Sequence, residues 1–362
     1  MRKLLRIWPQ APDRAEELVA QAAASRISSM TWKVVGHEWA VEALRKDAAT
    51  GAPAHAYLFL GPPGIGKRTL AMAFAQALNC LHPPTPGESC GACRSCRGLR
   101  DQTHPDLHRL QSPRPNEAIR VEAARDLIHA LSLRPREARF KIALLLNFQL
   151  ATSSAANALL KTLEEPAPDV VLLLTAPSAE ELLPTIVSRC RLFHLRPIPT
   201  STVASALRGQ WGLPPEQAEL WARLSCGRLG WAVSQIQDPQ ATALRAQRSQ
   251  EWARIPGQSR RERFALAEEL SADKDRTAKE RIVQALDLWA SLTRDLLLCL
   301  SAPDLPVANL DYEEEIRGLA GRVSLDQSEV WLQALLEAQR QIEHNVSPRL
   351  AVEISLLSAP RA

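Results

Sequence analysis

Between residues 55 and 197, short apolar runs alternate with segments whose apolar positions recur every three or four residues. The runs fall at 56–60, 107–110, 139–146, 170–175 and 191–195, and runs of that length read as buried strands. Between them, Leu70, Ala71, Ala73, Phe74, Ala77 and Leu78 repeat at helical spacing, as does the stretch Ile119 to Leu131. In the stretch Ser154 to Glu165, Leu159, Leu160 and Leu163 share one face, and Pro166 stops the helix. Strand and helix alternating in this way predict an α/β domain on a mainly parallel sheet. A further periodic segment, Val34, Val35, Trp39, Ala40, Val41 and Leu44, leads into it and opens at Met30-Thr31-Trp32.

Pro197-Ile198-Pro199 ends the alternation, and no strand pattern follows. Short helical segments at 201–209 and 215–224, with Gly227, Gly230 and Pro239 between and after them, predict a small helical lid over 198–239. From 240 to 362 the pattern is of longer amphipathic helices, at about 241–254, 260–271, 276–300 and 325–344, so this third is expected to be all-α. Residues 1–29 hold a short helical pattern around Ala15 to Ala24 with no visible partner. They are expected to be a dispensable extension, or an upstream mis-assigned start, with the working domain over 30–197 beginning at Met30.

Composition narrows the field only slightly. The 362 residues, 46% hydrophobic and 23% charged, suffice for two or three cored domains. A net charge of +4 and a pI near 8.7 permit contact with nucleic acid without arguing for it. Aromatics are scarce apart from nine Trp, so no stacking surface for single-stranded nucleic acid is visible. No apolar run reaches the roughly 18 residues of a membrane span. The basic opening Met1 to Pro9 has too short and broken an apolar run for a secretion signal, and a cytoplasmic location is expected.

Two stretches carry candidate chemistry. The first, Gly61-Pro62-Pro63-Gly64-Ile65-Gly66-Lys67-Arg68-Thr69, lies between a strand-like and a helix-like run. Glycines there let backbone N–H groups point at a phosphate, the helix N-terminus adds positive potential, and Lys67 adds a full charge. The spacing matches a nucleotide-binding loop except at its last position, where Arg68 replaces the Ser or Thr that holds magnesium. Thr69 does not substitute, because one helical residue turns a side chain by about 100°. A magnesium site is therefore expected to be lost, and ATP binding to be weak or absent.

The second is Cys80, Cys90, Cys93 and Cys96, four of the seven cysteines. Four soft ligands clustered in a cytosolic chain favour metal over disulfides and suit a tetrahedral, structural Zn²⁺. An iron–sulfur cluster is the lesser alternative. Only Arg94 and Arg97 are positive in this stretch, too few for a zinc-dependent reader of DNA.

The glycine loop, Val35-Gly36-His37, His55-Ala56-Tyr57-Leu58-Phe59, the cysteine insert, the run Ala155 to Pro166 and Ser188-Arg189-Cys190 occur in one order. Together they resemble the AAA+ subunits of the bacterial replicative clamp loader, and most of all those of the delta-prime type. The likeness is strong over about 33–197. Beyond that, only helical character and Asn345-x-x-Pro348-Arg349-Leu350 match, as a helical collar for oligomerisation over 240–362.

The resemblance implies a hetero-oligomeric ring with ATPase subunits of tau/gamma type and a delta subunit, acting on a sliding clamp and primed DNA. It implies that Arg189 reaches a neighbour's nucleotide site as an arginine finger, a role that suits a planar, permanently charged guanidinium. It also exposes departures. Hydrolysing members end the strand Phe140 to Leu146 in two acids, where this chain has Asn147 and Phe148, which can neither supply magnesium with anionic charge nor accept a proton. Where a lid arginine is expected, Gly227-Arg228-Leu229-Gly230-Trp231 presents Trp231. Thr175 remains as a candidate phosphate sensor. The resulting expectation is a pseudo-ATPase that donates Arg189 in trans; the alternative is a hydrolysing, motor-type subunit.

Overall fold

The computed structural model describes residues 32–114, 117–272, 276–343 and 346–361. The helix expected around Ala15 to Ala24, the 1–29 extension, its boundary at Met30 and Asn345 lie outside them. The chain divides into two compact units, one ending at Ala232 and one beginning at Val233.

In the first unit, α1 (Glu38–Thr50), β1 (Ala56–Leu60), α2 (Lys67–Leu78), α3 (Arg94–Arg100), β2 (Leu107–Leu110), α4 (Val121–Ser132) and β3 (Lys141–Leu145) are followed by α5 (Ser153–Glu164) and β4 (Val170–Ala176). Next come α6 (Pro184–Val187), β5 (Arg191–His194), α7 (Thr200–Trp211), α8 (Pro215–Leu224) and the start of α9 (Leu229–Gln237). The five strands pair in parallel in the order β2-β3-β4-β1-β5.

All residues of β1, β3 and β4 are buried, and apart from Lys141 and Thr175 they are apolar or aromatic, which is why they read as short apolar runs. Their side chains alternate between two cores. Tyr57, Phe59, Ile142, Leu144, Val171 and Leu173 pack with apolar residues of α1 and α2. Leu58, Leu60, Ala143, Leu145, Leu172 and Leu174 pack with those of α4 and α5. Parallel pairing brings the C-terminal ends of β1, β3 and β4 side by side, the usual place for a ligand site in such sheets.

The sequence pattern did not show α9, because Gly230 reads as a breaker. A Cβ at Gly230 would lie 2.8 Å from the Gly64 carbonyl oxygen, so the helix carries glycine for close approach.

The second unit contains α10 (Pro239–Arg254), α11 (Arg260–Leu270), α12 (Arg276–Ser301), α13 (Glu313–Ala320), α14 (Leu325–Glu343) and α15 (Pro348–Leu357), with no strand among the described residues. Trp252, Trp289 and Trp331 are fully buried in its core. Trp252 stacks on Trp331 at 5.9 Å and donates its indole N–H to Thr293 Oγ1 at 2.9 Å. Buried Arg263 of α11 donates to the carbonyls of Leu356, Ala359 and Pro360, fastening the end of the chain.

Candidate functional site: glycine loop, cysteine cluster and Arg189

The loop between β1 and α2 turns on Gly61, Gly64 and Gly66, all at positive φ, a conformation that side chains with a Cβ resist. Gly61 N–H donates to the carbonyls of Ala176 and Pro177 at 3.3 and 3.0 Å, tying the loop to the end of β4. Ile65 is buried as its anchor, and His37 Nε2 lies 3.2 Å from the Ile65 carbonyl oxygen. Burial holds the His37 pKa below its ordinary value. His37 stood in the sequence motif, but no pattern marked it as a support for the loop.

Lys67 is only 8% exposed. Its ammonium donates to the carbonyls of Gly61 and, at 3.0 Å, Pro62, so it is turned onto the loop itself. Burial pushes its pKa down to about 8, partly offset by the Glu181 charge, and the side chain still carries its proton at neutral pH. Pro63, Arg68 and Thr69 are exposed. Gly230 N–H donates to the Gly64 carbonyl at 2.8 Å, and a Cβ on Gly64 would stand 2.7 Å from the Trp231 backbone nitrogen. The start of α9 thus rests on the loop crest. Arg228 lies over the Trp231 ring, 5.4 Å from its centroid.

At the end of β3, Asn147 takes a left-handed conformation, and its N–H donates to Thr175 Oγ1 at 2.9 Å. Thr175, buried, fastens β3 to β4 through this bond. Phe148 is buried in the core that the sheet forms with α4 and α5. Neither position presents a carboxylate beside the loop.

Cys80, Cys90, Cys93 and Cys96 converge, with their Sγ atoms all within 4.8 Å of one another. Four thiolates around tetrahedral zinc, with Zn–S about 2.3 Å, stand about 3.8 Å apart, close to the 4.0 Å between Cys90 and Cys96. Backbone N–H groups of Cys90, Cys93 and Cys96 donate to the sulfurs of Cys80, Cys90 and Cys93 at 3.2, 3.2 and 3.4 Å. Such bonds favour the thiolate. Backbone N–H groups of Ala92 and Cys93 lower the Cys90 pKa to about 6, whereas burial raises that of Cys96. The cluster can hold a metal ion such as zinc.

Arg189 follows the short helix α6 at the surface, far along the chain from the loop. Its Nη1 donates to the Thr185 carbonyl at 2.8 Å and to Ser188 Oγ at 3.4 Å, and its Nη2 to Glu164 Oε1 at 2.7 Å. Glu164 closes α5, 25 residues earlier, and no sequence pattern linked the two. Burial pushes the pKa of neighbouring Cys190 up to about 12, which disfavours its thiolate.

The family model described as DNA polymerase III, delta subunit, matches residues 36–199. A delta-prime subunit of DNA polymerase III from Pseudomonas aeruginosa is 42% identical over 169 residues, covering 46% of this chain and 50% of that protein. Over this region the chain is delta-prime-like. The tau subunit of Escherichia coli is 28% identical over 343 residues, covering 90% of this chain and 53% of that one. The chain spans about half the length of these curated relatives. A solved DNA polymerase III gamma subunit-related protein from Thermotoga maritima aligns with 88% of this chain and 97% of its own, at 18% identity and a TM-score of 0.42. The delta-prime-like region has the parallel sheet and the glycine loop that the sequence predicts. No helix among the described residues is long and apolar enough to cross a membrane.

Proposed function

We propose that this chain is a delta-prime-like stator of a cytoplasmic clamp loader of DNA polymerase III, a pseudo-ATPase that lends Arg189 to a neighbouring ATPase subunit. One observation carries the reading: Asn147 and Phe148 stand where a hydrolysing subunit needs acids, while Arg189 stays at the surface, its side chain 34% exposed. Weak or absent nucleotide binding fits an ammonium of Lys67 turned onto the loop's carbonyls and a loop crest covered by Gly230 and Trp231. In this reading residues 30–197 form the AAA+ domain, 198–239 a lid and 240–362 a collar. The partners are tau/gamma-type ATPase subunits and a delta subunit, and the ring acts on the sliding clamp and primed DNA. Zinc in the cysteine cluster is structural.

The test is DNA-stimulated ATP hydrolysis by the reconstituted ring. Arg189→Ala is expected to leave folding and assembly intact and to slow hydrolysis strongly. Fingers supplied in trans are worth about 10³- to 10⁵-fold, with a smaller bulk loss where several sites fire. Arg189→Lys should be nearly as damaging, since an ammonium lacks the planar fork. Normal ATPase and clamp loading with both variants assembled would overturn the reading, as would phosphate release by the purified chain alone.

A further inference from the structure

Helix α5 ends in Glu164, with Glu165 as its C-cap. Carboxylates there oppose the negative end of the helix dipole, so this placement works against the helix that carries it. Glu164 does have a partner, Arg189, at 2.7 Å from a separate element. A guanidinium carries five N–H donors. Three are engaged: two on Nη1, to Thr185 O and Ser188 Oγ, and one on Nη2, to Glu164. That leaves Nε–H and one Nη2 N–H, two donors suited to a phosphate's oxygens.

Resting on the arginine-finger reading, we infer that Glu164 is a positioning residue for Arg189: it clamps one end of the guanidinium against α6 so that the remaining donors face outward in a fixed orientation. Without Glu164, Thr185 and Ser188 still hold Nη1, but both belong to the arginine's own local turn, and nothing from a second element fixes the plane. A long arginine side chain then samples more rotamers, and the neighbour's phosphate must order it during the reaction. The pair is half-exposed, so its contribution is modest, of the few-fold kind measured for surface ion pairs.

Two measurements separate this inference from the reading on which it rests. In the isolated chain, the Nε–H order parameter of Arg189, measured by NMR relaxation, is expected to fall in Glu164→Ala and less in Glu164→Gln, which keeps an acceptor oxygen. In the reconstituted ring, Glu164→Ala is expected to lower kcat for ATP about 3- to 5-fold with KM unchanged. Glu164→Gln should lie between it and the parent. The double variant Glu164→Ala/Arg189→Ala should be no slower than Arg189→Ala, because a positioning residue has no effect once its target is gone. If Arg189→Ala slows the ring but Glu164→Ala leaves mobility and kcat unchanged, or its loss adds fully to that of Arg189→Ala, the positioning role is refuted and the finger stands. If Glu164→Ala loosens Arg189 in the free chain while Arg189→Ala leaves the ring's ATPase intact, it is the finger reading that fails.

Discussion

Single side chains in this protein take their roles from what surrounds them. Asp106 is the clearest case. It is buried at the head of β2, and its carboxylate accepts N–H bonds from Arg136, Glu137 and Ala138 at 2.7, 2.8 and 2.8 Å. Burial alone would raise its pKa, but the three backbone donors outweigh that and hold it below its ordinary value of 3.8. A carboxylate with a depressed folded pKa stabilises the fold above its unfolded pKa, and that contribution is lost as pH falls through the folded value. Asp106→Ala orphans three N–H groups and is expected to cost about 3 kcal/mol at pH 7 in urea unfolding. The gap to the parent should shrink below pH 3.8; a gap independent of pH would refute the assignment. Lys67 differs in kind: its burial lowers its pKa without removing its charge at neutral pH.

At the scale of elements, the insert from Cys80 to Cys96 is where the proposed metal would bear on stability. None of its four cysteines belongs to either core that covers the sheet. Polar attachments tie it to the rest of the unit: Gln76 of α2 donates to the Cys96 carbonyl at 2.9 Å, Trp32 donates to the Gly87 carbonyl at 3.3 Å, Arg94 pairs with Glu137 at 2.8 Å and Arg45 with Glu88 at 3.7 Å. The purified chain is expected to carry about one zinc per molecule. Its removal by chelation, or Cys93→Ser, should raise amide exchange within 80–104 while β1, β3 and β4 stay protected. Absence of metal after chelator-free purification, or exchange spreading through the sheet, would show that the cluster has another role.

At the scale of the whole molecule, the second unit offers a surface that its own core leaves uncovered. In α15, Ala351, Val352 and Leu356 are buried, whereas Leu350, Ile354 and Leu357 are 51, 49 and 41% exposed at positions i, i+4 and i+7. Three aliphatic side chains in one helical row suit a partner helix, as the proposed collar would require. Replacing Leu350 and Ile354 together by Asp is expected to leave the thermal midpoint of the isolated chain within a few degrees of the parent. It should reduce co-elution with tau/gamma-type and delta subunits in gel filtration. Unchanged co-elution would show that this row is not an assembly surface.

The strands of the sheet, the main helices of both units and the glycine loop were legible in the sequence because each is set by local pattern. Strands buried on both faces are mostly apolar, amphipathic helices repeat every three or four residues, and a loop with several residues at positive φ favours glycine. The four cysteines were legible for the same reason, since ligand type and spacing are properties of the chain. Tertiary structure alone decided what those residues meet. Helix α9 escaped the pattern because Gly230 serves close approach to Gly64, a contact across more than 160 residues. Thr175, the candidate phosphate sensor, also accepts the Asn147 N–H, and only strand pairing could bring these two together. The Arg189–Glu164 pair likewise joins a helix end to a turn 25 residues away. Periodicity records whether a side chain faces a core or solvent; which particular group stands opposite it is fixed only when the elements pack.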